Sequence, residues 1–212
     1  MIKRLIFDID NTIITGVDFK IHIEKALREY GINDLEKLKI YLNNIKEYEK
    51  CHKSYEKDSY LSFFSKKLDV KLDEEFLRLL FSNLKNAVPK DNKKVESLIR
   101  SLYNNYELVL LSNYFEESQR NRLESMNINK YFSEYYGESI IKPNKETYFQ
   151  AAGKNRPSEC IMIGDDIELD IKVPKSLGFN TIYVNKKNGD IERLTDIKEK
   201  VFLSRPIRLC HP

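Results

Sequence analysis

The sequence lacks the features of a secreted, disulfide-rich or membrane-spanning protein. Its 212 residues include only three cysteines, Cys51, Cys160 and Cys210, and no C-x-x-C pair. An odd number of widely spaced cysteines argues against a disulfide framework or a cysteine–histidine metal site and suits a reducing cytoplasm. No apolar run approaches the roughly 18 residues that cross a bilayer, and the first residues resemble a strand more than a secretory signal. We therefore expect a cytoplasmic protein with no membrane partner.

The chain also lacks an excess of charge of one sign. Lysine and arginine number 36 against 33 aspartates and glutamates, a formal net charge of +3, although charged residues make up 33% of the chain. This balance produces no strong field for nucleic acid or an anionic membrane surface, so we expect neither as a partner. The length allows one large domain, or a core with an insert, around a sizeable buried interior.

Buried strands that alternate with helices predict an α/β fold. Apolar, β-branched runs of strand length occur at five places: Ile2–Phe7, Leu108–Leu111, Tyr135–Tyr136, Cys160–Ile163 and Thr181–Val184. Segments with helical periodicity separate the later strands, as in a parallel sheet with helices on both faces. We therefore predict a three-layer, Rossmann-like core.

The stretch between Gly16 and Pro89 departs from this alternation, because its periodicity is helical throughout and it has no strand signal. Four helices are predicted here, and their candidate N-caps are Asp18, Asp34, Asp58 or Ser59, and Asp73. We therefore predict a core of residues 1–15 and 89–212 and an all-helical insert of residues 16–88. The insert is expected to hinge near Gly16 and Pro89.

The last part of the chain carries weaker signals. A short helix is predicted near Pro174–Leu177, and proline is tolerated at a first helical position, so we expect this helix to start late. Beyond Gly189, a helix over Asp190–Lys200 and an edge strand over Val201–Leu203 are the predicted elements.

Polar side chains follow the predicted core strands at the point where each strand ends. Taken singly, such residues are ordinary turn, N-cap or solvated groups. In a parallel sheet with right-handed crossovers, however, these ends share one edge, where open α/β folds place their chemistry. The residues concerned are Asp8 and Asp10, Ser112 and Asn113, Asp165 and Asp166, and Lys142 just ahead of a helix.

Four motifs in this order resemble the haloacid dehalogenase-like superfamily, in particular its phosphatases with a helical cap inserted after the first motif. The first motif, D-x-D-x-T, is Asp8–Thr12, and the second, a Ser or Thr that ends a strand, is Leu111-Ser112-Asn113. The third, a Lys commonly followed by Pro, is Lys142-Pro143. The fourth, G-D-x-x-x-x-D, is Gly164–Asp170. The resemblance implies that the insert is a cap domain.

The resemblance also implies catalytic roles. Asp8 is expected to be the nucleophile that becomes an aspartyl phosphate, and Asp10 the general acid and base. Mg²⁺ is the expected cofactor, bound by the Asp8 side chain, the Asp10 backbone carbonyl and Asp165, because this ion prefers oxygen ligands. Thr12 is expected to brace the loop.

The remaining motif residues are expected to bind the phosphate or support the site. Lys142 supplies positive charge to the transferring phosphoryl group, and the Ser112 hydroxyl and the Asn113 backbone N–H bind its oxygens. Asp170, or Asp166, is expected to act through water or by orienting Lys142.

The predicted activity is therefore Mg²⁺-dependent hydrolysis of a small phosphorylated metabolite. A phosphosugar mutase shares the motifs and stays open, as does a non-hydrolytic phosphoryl-accepting signalling module of receiver type. The insert directly after the first strand and the second acid, Asp10, argue against the receiver. Dehalogenation is disfavoured, since that branch has no acid at the place of Asp10. The helical insert carries no motif that identifies the substrate, and the sequence predicts no oligomeric state.

Overall fold

The computed structural model describes residues 1–197, and its centre is a parallel sheet of five strands. The spatial order is β3-β2-β1-β4-β5, and all four neighbouring pairs are parallel. The strands are β1 (Arg4–Phe7), β2 (Glu107–Leu111), β3 (Glu134–Tyr136), β4 (Cys160–Gly164) and β5 (Asn180–Tyr183). The order reverses on either side of β1, which is the switch point where such folds bind ligands.

Helices cover both faces of the sheet, because successive strand side chains point to opposite sides. Leu5 and Phe7 of β1 join one buried cluster with α5 (Lys93–Tyr103) and α6 (Glu116–Ser125). Ile6 joins a second cluster on the other face, where α7 (Lys145–Ala152) and α8 (Val173–Ser176) pack. The predicted three-layer, Rossmann-like architecture is confirmed.

The segment between β1 and α5 is helical, as predicted, and its buried side chains form a hydrophobic cluster that also includes Phe115 and Ile141 from later in the chain. Its helices are α1 (Phe19–Glu29), α2 (Leu35–Cys51), α3 (Lys57–Leu68) and α4 (Glu74–Leu84). The side chains of three predicted N-caps accept hydrogen bonds from backbone N–H groups two residues on; these residues are Asp18, Asp34 and Asp73.

The predicted cap of α3 is wrong. This helix begins at Lys57, one residue before Asp58, so Asp58 lies in its first turn. Its N-cap is Glu56, whose side chain makes no capping hydrogen bond. The carboxylate of Asp58 still lies at the positive end of the helix dipole, where a negative charge is favourable.

The helical segment after β4 starts earlier than predicted. Wide π-helical turns span Ile167–Lys172 and run directly into α8. The Asp166 carboxylate accepts hydrogen bonds from the backbone N–H groups of Glu168 and Leu169, at 2.8 and 2.9 Å, and so initiates the turns there. Pro174 is the second residue of α8, and since it has no N–H it donates no hydrogen bond to the preceding turn.

The predicted helix over Asp190–Lys200 is wrong from Asp190 to Asp196, and Ile197 is helical. Ile191 instead forms a bridge with Val184 beside β5, and a single 3₁₀ turn covers Leu194–Asp196. The Asp190 carboxylate accepts a hydrogen bond from the Tyr183 backbone at 2.9 Å, which holds the chain against the strand. The strand predicted at Val201–Leu203 lies outside the described residues. Across residues 1–197, no helix combines the length and the apolar character needed to cross a membrane.

Candidate active site

The register of the sheet brings three of the predicted motifs to the same edge. Phe7, the last residue of β1, pairs with Leu110 of β2 and with Ile163 of β4. Asp8 therefore leaves the sheet beside Ser112 on one side and Asp165 on the other. The Asp8 backbone N–H extends the pairing by donating to the Ile163 carbonyl at 2.9 Å.

Lys142 lies at the centre of the site and joins two of the motif carboxylates. Its Nζ donates to Oδ1 of Asp8 at 2.8 Å and to Oδ1 of Asp170 at 2.7 Å. All three side chains are at least nine-tenths buried. A compact ammonium group that bridges two carboxylates in this way neutralises part of the negative charge that the motifs bring together.

Burial and neighbouring charges shift the pKa values of this triad. Burial alone would lower the pKa of Lys142, but the charges of Asp8 and Asp170 and its hydrogen bonds to them raise it well above its ordinary value. Burial raises the pKa of Asp8, with Lys142 opposing the shift and Asp170 and Asp10 adding to it. Lys142 thus carries its charge at every physiological pH, and it is the main group that favours the ionised form of Asp8.

Asp165 completes an acidic cluster with Asp8 and Asp170. One carboxylate oxygen from each of the three lies within 4.8 Å of the others. Burial raises the pKa of Asp165 to about 6, and the charge of Asp170 adds to the shift, while a hydrogen bond from Asn11 and the charge of Lys142 oppose it. A divalent cation bound among crowded carboxylates would stabilise their ionised forms.

The donor set fits Mg²⁺, which takes carboxylate and carbonyl oxygens together with water. Within the cluster, Asp170 is the least available ligand, because its Oδ1 accepts from Lys142 and its Oδ2 accepts from the Asp166 backbone N–H at 3.1 Å. Asp8 and Asp165 remain as the side chains best able to hold the ion.

Asp170 is held where it is by close packing against Gly164. A Cβ atom at Gly164 would lie 2.2 Å from Oδ2 of Asp170, so a larger residue there would displace the carboxylate. The geometry thus gives Asp170 one evident task, which is to hold Lys142 beside Asp8. Asp166, the other candidate for that task, instead caps the π-helical turns.

The Asp10 carboxylate lies apart from the other acids and is paired with Arg122. Nη2 of Arg122 donates to Oδ1 of Asp10 at 2.6 Å, and Nη1 donates to Oδ2 at 3.3 Å. The arginine side chain is only 4% exposed, against 40% for Asp10. Arg122 in turn contacts Gln119, whose amide donates to the Ser112 hydroxyl at 3.2 Å.

Ser112 and Asn113 follow β2 as predicted, but the Asn113 side chain has a further contact. Its Oδ1 accepts from the Lys142 backbone N–H at 2.7 Å, and its Nδ2 donates to the Lys142 carbonyl at 3.1 Å. Asn113 therefore fixes the backbone from which the central lysine projects. Thr12 is buried, and its hydroxyl has no hydrogen-bond partner among the described residues.

The residues that sequence reasoning missed are Arg122, Gln119 and the side chain of Asn113. A signal for the first two was present in α6, whose inward-facing positions include few apolar residues. Gln119 and Arg122 lie one turn apart on its buried face, 2% and 3% exposed. Polar side chains that occupy the inward face of a helix need buried partners.

Comparison with known proteins identifies the family. The model of the haloacid dehalogenase-like hydrolases matches residues 2–178, and the chain belongs to this family. No curated protein matches the chain in sequence.

Solved structures of similar fold include both phosphatases and dehalogenases. The putative HAD-hydrolase YfnB from Bacillus subtilis, bound to magnesium, is 20% identical with a TM-score of 0.69, covering 95% of this chain and 99% of that one. A HAD phosphatase from Thermococcus onnurineus is 23% identical with a TM-score of 0.63, covering 94% and 98%. A 2-haloacid dehalogenase from Pseudomonas syringae is 18% identical with a TM-score of 0.73, covering 96% and 99%. At these identities the likeness shows the shared fold.

Proposed function

We propose that this protein is a Mg²⁺-dependent phosphatase of a small phosphorylated metabolite. The observation that carries the proposal is the position of Asp8, which ends the central strand of the sheet and is held by Lys142 next to Asp165. This arrangement combines a nucleophilic carboxylate, a fixed positive charge and a pair of metal-binding oxygens. Phosphoryl transfer depends mainly on positioning and on such charges.

Asp8 is proposed to attack the phosphorus atom. As the bond from its carboxylate oxygen to phosphorus forms, the bond from phosphorus to the substrate alcohol breaks, and Asp10 donates the proton that the departing oxygen needs. Water then attacks the aspartyl phosphate while Asp10 takes a proton from it. Inorganic phosphate leaves, and the Asp8 carboxylate is restored.

Lys142, Ser112 and Asn113 are proposed to bind the phosphoryl oxygens. Lys142 already lies within hydrogen-bonding distance of Asp8, so its charge reaches the group that Asp8 attacks. Mg²⁺, held by Asp8, Asp165 and the Asp10 carbonyl, would supply further positive charge to the phosphoryl oxygens. Thr12 and Asp170 are proposed as supports of the loop and of Lys142.

The test is a screen of the purified protein with Mg²⁺ against sugar phosphates, nucleotides and phosphorylated hydroxy acids, read as released phosphate. We expect hydrolysis of some members, loss of about a thousandfold or more in kcat for Asp8→Asn, and a comparable loss for Asp10→Asn with alkyl phosphates. Asp58→Asn, the same change on the exposed first turn of α3, is the control. Absence of hydrolysis across the screen, or an Asp8→Asn variant as active as the parent, would refute the proposal.

The products separate the neighbouring activities. A rearranged sugar phosphate without free phosphate would indicate a mutase, and a stable phosphoprotein without turnover would indicate a receiver-like module. Halide release from a short 2-haloacid would indicate a dehalogenase. A cytoplasmic location stays a prediction, tested by cell fractionation.

A further inference from the structure

Arg122 is a buried cation, and within residues 1–197 the acidic side chain paired with it is Asp10. The other hydrogen bond of its guanidinium goes to the neutral Oε1 of Gln119 at 2.8 Å. Its Nε is buried and has no hydrogen-bond partner within residues 1–197. A buried guanidinium without a counter-charge is strongly unfavourable. Arg122 therefore needs an anion against its fork, the pair of Nη1 and Nη2 groups that bind Asp10 in the structure.

The proposed reaction needs Asp10 in another place. Both of its oxygens face Arg122, whereas proton transfer requires a carboxyl oxygen at the leaving oxygen of the substrate. The Asp10 side chain is two-fifths exposed and therefore has room to turn. When it turns toward the reacting group, the fork of Arg122 loses its partner.

The fork lies where the leaving group of a substrate must enter. The guanidinium carbon is 4.6 Å from the ring centroid of Phe19, which packs against the hydrophobic clusters of both the sheet core and the helical insert. Tyr114, two residues after Ser112, also interacts electrostatically with both Arg122 and Asp10. Asp10 changes between these two positions by turning about its own side-chain bonds, so the leaving oxygen that it reaches lies within about one side-chain length of the Arg122 guanidinium, and a substituent on the leaving alcohol can enter the space that Asp10 vacates.

We infer that Arg122 binds a carboxylate on the leaving alcohol of the substrate, which takes the position that Asp10 vacates. The inference rests on the proposed phosphatase function and names its substrate class, the phosphomonoesters of small hydroxy acids. A carboxylate fits because it is the same planar, two-oxygen group that the fork binds in the structure. The alcohol product would be a free hydroxy acid.

The test compares two phosphate esters with the same two-carbon skeleton. The second carbon is a carboxylate in 2-phosphoglycolate and carries a hydroxyl in 2-hydroxyethyl phosphate. The readout is the ratio of their kcat/KM values. We expect the parent to favour the carboxylate ester by about tenfold or more, which corresponds to about 1.4 kcal/mol. Arg122→Met should bring the ratio close to one, and Arg122→Lys should keep part of it. Arg120→Met, a change to a half-buried arginine on the same helix that pairs with Glu116 instead of Asp10, should leave the ratio as it is.

A second measurement needs no variant. Glycolate should inhibit the parent competitively with whichever phosphomonoester it hydrolyses, and ethylene glycol at the same concentration should not. A parent ratio near one, a ratio that Arg122→Met preserves, or equal inhibition by the two alcohols would overturn the inference while hydrolysis itself upholds the phosphatase. A preference for bisphosphates instead would also overturn it. Failure to hydrolyse any phosphomonoester would remove the proposed function, and the inference with it.

Discussion

Asp165 makes the metal-free site sensitive to pH. Its pKa of about 6 in the folded protein lies above the unfolded value of about 3.9, because burial and Asp170 disfavour its charge. The folded state therefore binds this proton more tightly, and the contribution of Asp165 to the free energy of unfolding rises as the pH falls from about 7 to about 4. Above that window the ionised group destabilises the metal-free protein by about 1 to 2 kcal/mol, less than the roughly 3 kcal/mol of the full shift, because Asp165 is partly exposed and solvent screens its charge.

Asp165→Asn should consequently stabilise the metal-free protein near pH 8. Urea unfolding with a chelator present, repeated from about pH 8 to about pH 4, should show an advantage for the variant that shrinks through about pH 6. Subtracting the two curves removes the contribution of Asp8, which is common to both proteins. Asp58→Asn, which removes a carboxylate that is favourable in the first turn of α3, should show no such advantage. An advantage that stays constant over the whole range would contradict the prediction.

At the scale of residues, the sequence predicted the acidic cluster better than the contacts that orient it. Asp8 and Asp165 lie together because parallel strand ends share an edge, and Lys142 reaches them from the loop between β3 and α7. The Asp10–Arg122 pair depends on the rotation of α6 about its axis, and the Asn113 clamp depends on the path of a loop. The spacing of residues in the sequence gives neither the rotation of a helix nor the path of a loop.

The end of β3 constrains Ser112 through a close backbone approach. Gly137 has φ +105°, and a Cβ atom there would lie 2.3 Å from the Ser112 carbonyl oxygen. Gly137→Ala should therefore both strain the backbone and displace Ser112. Gly31→Ala is a matched control, because Gly31 has φ +94° but open space around it.

We expect Gly31→Ala to lower the free energy of unfolding by about 1 kcal/mol and to leave catalysis as it is. Gly137→Ala should cost more and should also raise KM for a phosphomonoester, because Ser112 is proposed to bind the phosphoryl oxygens. Urea unfolding and steady-state kinetics of the two variants check this. Equal costs, or an unchanged KM for Gly137→Ala, would contradict the expected role of the contact.

At the scale of elements, local chemistry decided what was predictable. The helices with an Asp cap and regular apolar spacing, such as α1 and α4, lie where the pattern places them. The π-helical turns were missed because they depend on the Asp166 cap and the adjoining Asp170 contact. The segment after Asp190 was missed because tertiary contacts beside β5, the Val184–Ile191 bridge and the Tyr183–Asp190 hydrogen bond, override its helical periodicity.

At the scale of the molecule, two hydrophobic clusters pack against the two faces of the sheet, and a third fills the helical insert and includes Phe115 and Ile141. We propose that the helical cap comprises residues 16–88 and the core residues 1–15 and 89–212, as the sequence predicts. Besides the two chain connections, backbone hydrogen bonds join these parts: the Tyr55 N–H donates to the Glu138 carbonyl at 2.8 Å, and the Ile141 N–H donates to the Lys53 carbonyl at 3.0 Å. Opening of the cap would have to break these bonds.

Tyr114 is a further fastening between the two parts. Burial raises its pKa to about 12, and its hydroxyl interacts with those of Tyr60 and Tyr41, which hydrogen-bond to each other inside the cap. Tyr114 comes directly after the Ser112-Asn113 pair of the core, so this phenol cluster connects the proposed phosphate-binding loop with α2 and α3. Loss of a neutral polar interaction of this kind costs about 1 kcal/mol.

Tyr114→Phe should therefore loosen the cap locally without unfolding the protein. Since about 1 kcal/mol corresponds to about a fivefold change in an opening equilibrium, amide hydrogen exchange at Tyr55 and Ile141 should accelerate about fivefold. Exchange at Leu5 and Val109 in the centre of the sheet should not change by a similar factor, because those strands open only with the whole core. Tyr103→Phe, at an exposed tyrosine, should alter neither set. Uniform acceleration at all four amides would show global destabilisation, and no acceleration at Tyr55 and Ile141 would show that the phenol cluster does not fasten the cap.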